Sequence, residues 1–197
     1  MVTDPKSSEH VDTTPSGRPR RIINPAIGDV LTFVEATDET AGKRLVLEIQ
    51  LAPHGGNAMH IHLVQTESFK ILEGELEVVM AGAQRTLRPG DEATIPPRTP
   101  HRFFSESDRP VTLRVTVLDP GRLEDGLRIL YGLGREGRVS RGGIPTNLLI
   151  VALGSQLSDM YLASAPVWLQ AAIFMPLAAL GRALGYEKKL IGYLTAS

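Results

Sequence analysis

The sequence predicts a mainly β domain, an antiparallel sandwich or barrel, followed by α-helices. Three observations support this fold class. Between residues 21 and 119, short apolar and β-branched runs alternate with turn signals at Glu73-Gly74, Ala81-Gly82 and Pro89-Gly90-Asp91. After Pro120 the apolar pattern changes to a helical period. The length of 197 residues allows one such core with extra segments, but not two full domains.

Residues 1–20 are predicted to form a disordered tail. This segment is rich in Ser, Thr, Pro and charge, and it lacks the apolar core of a signal peptide, so we expect a cytoplasmic protein. The formal net charge of -1 argues against nucleic acid as a partner. The sequence has no cysteine, which leaves histidine and carboxylate side chains as the candidate metal ligands.

The predicted strands lie within residues 21–119. Apolar and polar residues alternate most clearly over residues 43–51 and 111–117, as a strand with one buried face requires. Further strands are predicted near residues 59–63, 68–72, 76–80, 84–87, 93–95 and 101–104. These runs define one β domain.

Residues 120–197 are predicted to form a helical extension. Its apolar segments are residues 123–133, 146–163 and 166–184. Thr146 or Asn147 suits the N-cap of the second helix, and Pro166 suits the start of the third. Polar and helix-breaking residues interrupt the third segment, which leaves its apolar run shorter than the roughly 20 residues needed to cross a bilayer. We expect the extension to pack on the barrel or on a partner, while contact of residues 166–193 with a membrane surface stays open.

Three histidines and one glutamate in the β domain are spaced as metal ligands. His60 and His62 lie two residues apart on one strand, so their side chains share a face. Glu67 can reach the same point from the neighbouring strand, and His101 from a later one. This set suits one divalent transition metal (Fe, Mn, Ni, Co, Cu or Zn) and leaves coordination positions open. The alternative is a group of ordinary barrel histidines with hydrogen-bonded nitrogens.

Two segments around these residues resemble the motifs of the cupin superfamily. Residues 54–74, HGGNAMHIHLVQTESFKILEG, are similar to the first motif, GXXXXXHXHXXXXEXXXXXXG, with His54 at the opening glycine. Residues 90–101, GDEATIPPRTPH, are similar to the start of the second, GXXXXXPXGXXHXXXN, although Arg98 replaces a glycine and Ser105 the final asparagine. The resemblance, to a small single-domain cupin of the cupin 2 type, implies an antiparallel jelly-roll barrel with the metal inside one mouth.

The cupin resemblance does not specify a reaction, because similar proteins include dioxygenases, isomerases, decarboxylases and non-catalytic binding proteins. Strand parity places Phe69 and Ile71 on the face of Glu67 and Phe103 on that of His101, which favours a small, partly apolar organic ligand. His54 is a candidate acid or base near the entrance. The leading hypothesis is a metal-dependent dioxygenase. The alternative is a ligand-binding or sensor protein whose C-terminal helices contact a partner or a membrane surface.

The outer face of the strand that carries His60 and His62 predicts a homodimer. Met59, Ile61 and Leu63 are apolar where a free barrel would present polar residues. Either the C-terminal helices or a second subunit must cover this face. Because barrels of this type commonly pair, we expect a homodimer.

Overall fold

The computed structural model describes residues 12–140 and 142–195, so most of the predicted disordered tail, residues 1–11, lies outside the described residues. The strands are β1 (Arg21–Asn24), β2 (Asp29–Glu35), β3 (Arg44–Leu51), β4 (His60–His62), β5 (Thr66–Glu73), β6 (Leu76–Met80), β7 (Ala83–Leu87), β8 (Glu92–Ile95), β9 (His101–Phe104), β10 (Val111–Leu118) and β11 (Met160–Leu162). The α-helices are α1 (Leu123–Arg135), α2 (Leu148–Ser158), α3 (Val167–Ala183) and α4 (Tyr186–Ile191). Short 3-10 turns cover Thr37–Glu39 and Gly192–Leu194.

The strands form two antiparallel sheets of a jelly-roll barrel, which confirms the predicted fold class. One sheet has the order β1-β2-β3-β10-β5-β8, and the other has the order β11-β4-β9-β6-β7. The alternation seen in the sequence of β3 and β10 gives alternating burial along both strands, because every second side chain points into the barrel. The buried residues of both sheets meet in one core, which includes Phe33, Leu45 and Leu113.

The predicted disorder does not extend to residues 12–20. Thr13 forms a β-bridge with Pro19, and the side chain of Arg18 contacts Asp125 of α1 at 2.9 Å. Arg20 forms an ion pair with Glu39 at 2.6 Å. The contacts made by Arg18 and Arg20 join residues that are distant in sequence. The composition of the tail, on which the prediction of disorder rests, therefore does not indicate them.

The C-terminal extension docks on the barrel of its own chain. α1 lies where the sequence predicts a helix and packs against β1. The segment 146–163, predicted as one helix, instead divides into α2 and the edge strand β11. Asn147 caps α2, since its side-chain oxygen accepts hydrogen bonds from the backbone N–H groups of Leu149 at 2.9 Å and Ile150 at 3.4 Å. Asp159 ends the helix in a left-handed conformation, and β11 then pairs with β4.

Helix α3 is buried along one side only. Gln170, Ala178 and Gly181 are its buried residues, and Gly181 lies against Leu153 of α2. Among residues 12–140 and 142–195, no single helix has the length and apolarity to cross a membrane. Taken together, α3 and residues 186–194 have the necessary length and apolarity, but a bend of 79° separates them. The opposite side of α3 exposes apolar residues, including Trp168 at 71% exposure.

Candidate metal centre

The structure brings the four predicted ligands together inside the barrel. His60 and His62 lie on β4, His101 lies opposite His60 on β9, and Glu67 lies on β5 of the other sheet. All four are buried. One ring nitrogen from each histidine and one carboxylate oxygen of Glu67 lie within 4.8 Å of one another. Both sheets therefore contribute to one cluster.

The closest contacts within the cluster join atoms that can bind a metal. His60 Nε2 lies 3.1 Å from His62 Nε2, and His101 Nε2 lies 3.1 Å from Glu67 Oε2. His62 Nε2 lies 3.6 Å from Glu67 Oε1. Every one of these atoms can therefore bind the same small cation.

The outer nitrogens of the three rings fix which inner atoms carry lone pairs. The Nδ1 atoms of His60, His62 and His101 each contact a backbone carbonyl oxygen, respectively of Ala58 at 2.8 Å, Asp159 at 3.1 Å and Thr99 at 2.9 Å. Since a carbonyl oxygen only accepts, each Nδ1 donates its proton, and the Nε2 atom of a neutral ring is left with a lone pair. Two such lone pairs at 3.1 Å repel each other unless a cation lies between them. Backbone acceptors of this kind commonly orient metal-binding histidines, so the residues fit a metal.

The electrostatics of the cluster favour the protonation states that bind a metal. Burial, together with the neighbouring His101 and His62, lowers the pKa of His60 to about 4. Burial alone would raise the pKa of Glu67, but the His101 ring, which donates to this carboxylate when both its nitrogens are protonated, and the neighbouring His62 and His60 hold that pKa below its ordinary value. At neutral pH His60 is therefore neutral and Glu67 is ionised.

A largely apolar cavity of about 230 Å³ extends from the ligand cluster. Phe69 and Phe103 line it as the sequence predicts, and their ring centroids are 5.4 Å apart. Ile71 does not reach the cavity. It lies on the inner face of β5, but two residues beyond Phe69, where it is buried in the core. Parity predicts the face of a strand correctly but not the depth along it.

His54 also lies away from the cavity, in the loop between β3 and β4. Its side chain is 62% exposed, and its Nε2 atom contacts Asp108 at 2.9 Å. The left-handed backbone of His54, with φ of 57°, belongs to the turn that follows β3. The structure therefore does not support the predicted role of His54 as an acid or base at the entrance.

Sequence reasoning missed the contribution of the C-terminal extension to this site. The cavity is lined by α1 through residues that include Leu127, Leu130 and Tyr131, and by β11 through Met160 and Leu162. The sequence shows that both segments are apolar, but no local pattern indicates which part of the barrel each segment covers.

Asp159 is the second feature that the sequence did not reveal. Its carbonyl oxygen contacts Nδ1 of His62, and its carboxylate accepts hydrogen bonds from the backbone N–H groups of Leu63 at 2.7 Å and Val64 at 3.0 Å. One residue of the extension therefore positions both a metal ligand and the turn that follows it. An aspartate at a helix end is a weak signal, because such residues usually serve only local hydrogen bonds.

The barrel and its ligand cluster define a metal-binding jelly-roll domain. Residues 47–118 match the family model described as Cupin domain, Cupin_2. These residues are therefore a cupin domain, as the two motifs imply.

One curated relative is the quercetin 2,3-dioxygenase of Bacillus subtilis (strain 168). It is 30% identical over 116 residues, which make up 58% of this chain and 33% of the relative. The chain thus matches about a third of the length of that enzyme.

Several solved structures are similar over about half of the chain. A sugar phosphate isomerase from Silicibacter pomeroyi is 25% identical with a TM-score of 0.44, covering 50% of this chain and 69% of that one. The Cupin_2 domain of an XRE family transcriptional regulator from Enterobacter cloacae is 28% identical with a TM-score of 0.40, covering 46% and 95%. A predicted oxalate decarboxylase from Thermotoga maritima is 18% identical with a TM-score of 0.46, covering 51% and 91%.

Proposed function

We propose that this cupin is a metal-dependent dioxygenase that acts on a small, partly apolar organic molecule. The observation that carries the proposal is a three-histidine, one-glutamate cluster that opens directly into an apolar cavity. Four protein ligands leave two positions in a six-coordinate metal, one for substrate and one for dioxygen. The partial likeness to a quercetin 2,3-dioxygenase supports the same reaction class.

The residues of the chain have separate tasks in this proposal. A bound redox-active divalent metal supplies the activation of substrate and dioxygen. The backbone carbonyls behind His60, His62 and His101 hold the rings in the tautomer that binds the metal. Phe69 and Phe103, whose rings are packed edge to face, exclude water beside the cluster and present an apolar wall to the substrate. In a dioxygenation that cleaves a bond of the substrate, the substrate supplies all four electrons that reduce O2 and receives both oxygen atoms, so the reaction needs no external reductant.

The first test is metal content, measured by elemental analysis on protein purified without chelator or immobilised nickel. We expect about one divalent transition metal per chain in the wild type and none in a His60→Ala, His101→Ala double variant. The control is His54→Ala, because this exposed histidine lies away from the cavity and should leave metal content unchanged. Oxygen uptake with candidate substrates is then followed on an electrode.

Each result of this test bears on the proposal. Metal that is lost only in the double variant, with substrate-dependent oxygen uptake, supports a dioxygenase. Wild-type protein that stays metal-free after reconstitution contradicts the proposal. A bound metal with no oxygen uptake on any substrate that binds the cavity favours an isomerase, a decarboxylase or a non-catalytic protein.

A second candidate function is a ligand sensor whose C-terminal helices contact a partner or a membrane surface. The exposed side of α3 favours it, because most of its large exposed side chains are apolar and Arg182 is the exposed charged one; the apolar residues are Trp168, Leu169, Ile173, Met175 and Leu180, with Leu184 directly after the helix. α3 contains no acidic residue, and the exposed Lys188 and Lys189 follow it in α4. Flotation with anionic and neutral vesicles tests the membrane contact, and protein that stays at the bottom of the gradient with both kinds of vesicle contradicts it.

The predicted homodimer is retained as part of this proposal. Met59, Ile61 and Leu63 are half-buried in the single chain, so a second subunit can still cover part of this face. Light scattering coupled to size exclusion should give twice the chain mass of 21.4 kDa. A mass of one chain at micromolar concentration would contradict the prediction.

A further inference from the structure

The cavity has a second polar region, formed by Asp29 of β2 and Tyr131 of α1. Both residues line the same cavity as the metal ligands, and both are buried. In the larger sheet β3 and β10 lie between β2 and β5, so Asp29 is separated from Glu67 by two strands. The remaining wall between the two regions is mostly apolar. The cavity therefore has a second polar region, two strands away from Glu67 in the larger sheet.

The polar atoms of this pair have unused hydrogen-bonding capacity. Asp29 Oδ1 accepts a hydrogen bond from the backbone N–H of Ala52 at 2.9 Å. Within residues 12–140 and 142–195, neither Asp29 Oδ2 nor the hydroxyl of Tyr131 has a hydrogen-bond partner. Neither atom is among the fully enclosed polar atoms that lack a partner, so both face the space of the cavity, where a ligand group can pair with them.

The electrostatic environment agrees with this geometry. Burial raises the pKa of Asp29 to about 6. Burial, and then the charge of Asp29, also raises the pKa of Tyr131. The two groups therefore interact electrostatically, and the phenol of Tyr131 keeps its proton at all ordinary pH values.

We propose that Asp29 and Tyr131 bind a hydroxyl group at the end of the ligand that lies away from the metal. A hydroxyl matches the pair because it can donate to Asp29 Oδ2 while it accepts from the Tyr131 phenol. This inference rests on the proposed function, since it assigns the substrate class of the same site. Asp29 and Tyr131 are then specificity-determining residues.

The cavity wall argues against other end groups. No lysine or arginine lines the cavity among the described residues, so a carboxylate or phosphate would face Asp29 without a cation. A ligand that ends in a methyl group would take the place of water beside Asp29 and Tyr131 without forming hydrogen bonds to them, which lowers its binding affinity. The substrate class is therefore a neutral, mostly apolar molecule with a terminal hydroxyl.

The test compares two series of probes on the full chain loaded with zinc, which binds without oxidative turnover. One series is 4-(ω-hydroxyalkyl)catechols with chains of two to five carbons. The other is 4-alkylcatechols with the same number of non-hydrogen atoms. The catechol oxygens are offered to the metal, and the range of chain lengths removes any assumption about the distance to Asp29. Affinities are measured by anaerobic calorimetry on the wild type, Tyr131→Phe and Asp29→Asn.

At the best chain length, we expect the wild type to prefer the hydroxyl-terminated probe by about 10- to 100-fold, as a hydrogen bond to a charged group allows. Tyr131→Phe and Asp29→Asn should each reduce that preference by about tenfold, while the affinity for the alkyl probe stays within about twofold. Asn is chosen because it keeps an oxygen for Ala52 but places an amide donor where Oδ2 lay. Tyr161→Phe is the control, because Tyr161 does not line the cavity.

Failure of the inference and failure of the proposed function give different results. If both series bind only to the zinc-loaded protein and bind equally well, the assignment of Asp29 and Tyr131 is overturned while the metal site stands. A preference for the hydroxyl that persists in both variants overturns the assignment as well. If neither series binds in a zinc-dependent way, the proposed function fails and the inference fails with it.

Discussion

Replacing Asp159 should weaken metal binding although this residue is not a ligand. In Asp159→Gly the backbone keeps its left-handed conformation, with φ of 49° and ψ of 37°, because glycine adopts it without strain. The change removes the carboxylate that binds the N–H groups of Leu63 and Val64 at 2.7 and 3.0 Å. The carbonyl oxygen that receives the Nδ1 proton of His62 remains, but it is no longer held to β4 by these bonds.

The magnitude follows from the hydrogen bonds that are lost. Hydrogen bonds to a charged group contribute about 1.5 to 3 kcal/mol each, and because Asp159 is only half-buried we expect the low end, about 3 kcal/mol for the pair. Removing the partners that orient a metal ligand typically lowers metal affinity by about 10- to 100-fold. The variant should therefore show both a lower melting temperature without metal and a higher dissociation constant for zinc.

The assay is competition with a chromogenic chelator, together with thermal unfolding of the metal-free protein. The matched control is Asp159→Asn, because asparagine also tolerates the left-handed region and retains one oxygen as an acceptor. We expect its zinc dissociation constant to lie within about threefold of the wild type. The reasoning is refuted if Asp159→Gly binds zinc as tightly as the wild type, or if the two variants lose affinity equally.

Two further predictions concern the barrel and its helices. Burial raises the pKa of Asp29 from its ordinary value of about 3.8 to about 6, so the stability contributed by its protonated form is fully present below about pH 4 and is lost as the pH rises through 6. Between pH 4 and 7, urea unfolding should therefore show the wild type losing up to about 3 kcal/mol relative to Asp29→Asn, and parallel pH profiles would contradict this. Gly134→Ala should destabilise the protein by about 1 to 3 kcal/mol, because its Cβ would lie 2.0 Å from Oδ1 of the buried Asn24. Gly154→Ala in α2, which meets no atom within 4 Å, should instead raise the melting temperature slightly, and equal losses in both alanine variants would show that the contact with Asn24 is not the cause.

The barrel was predictable because its signals are local. The alternation in β3 and β10 reports a buried face directly, and the left-handed glycines Gly74, Gly82 and Gly90 lie in the turns that the sequence indicates. The two motifs add the pairing of distant strands, which alternation cannot supply. For this reason the sequence could indicate that His101 meets the ligands of β4.

The parts that sequence reasoning missed depend on contacts between distant residues. Met160–Leu162 becomes a strand because the edge of β4 offers hydrogen bonds, although the same apolar letters also suit the end of a helix. The second polar region of the cavity forms because the fold brings Tyr131 of α1 and Asp29 of β2 to the same cavity wall. No spacing rule links two residues so far apart in the chain.

The attachment of Asp159 to His62 makes the metal and the C-terminal helices parts of one thermodynamic cycle. Asp159 ends α2, and α2 is the helix on which α3 packs. Anything that displaces α2 and β11 when it engages the apolar side of α3 must therefore change the affinity for the metal by some factor. By thermodynamic reciprocity, the metal-bound and metal-free forms of the protein must then differ by that same factor in their affinity for the partner or membrane surface that binds α3.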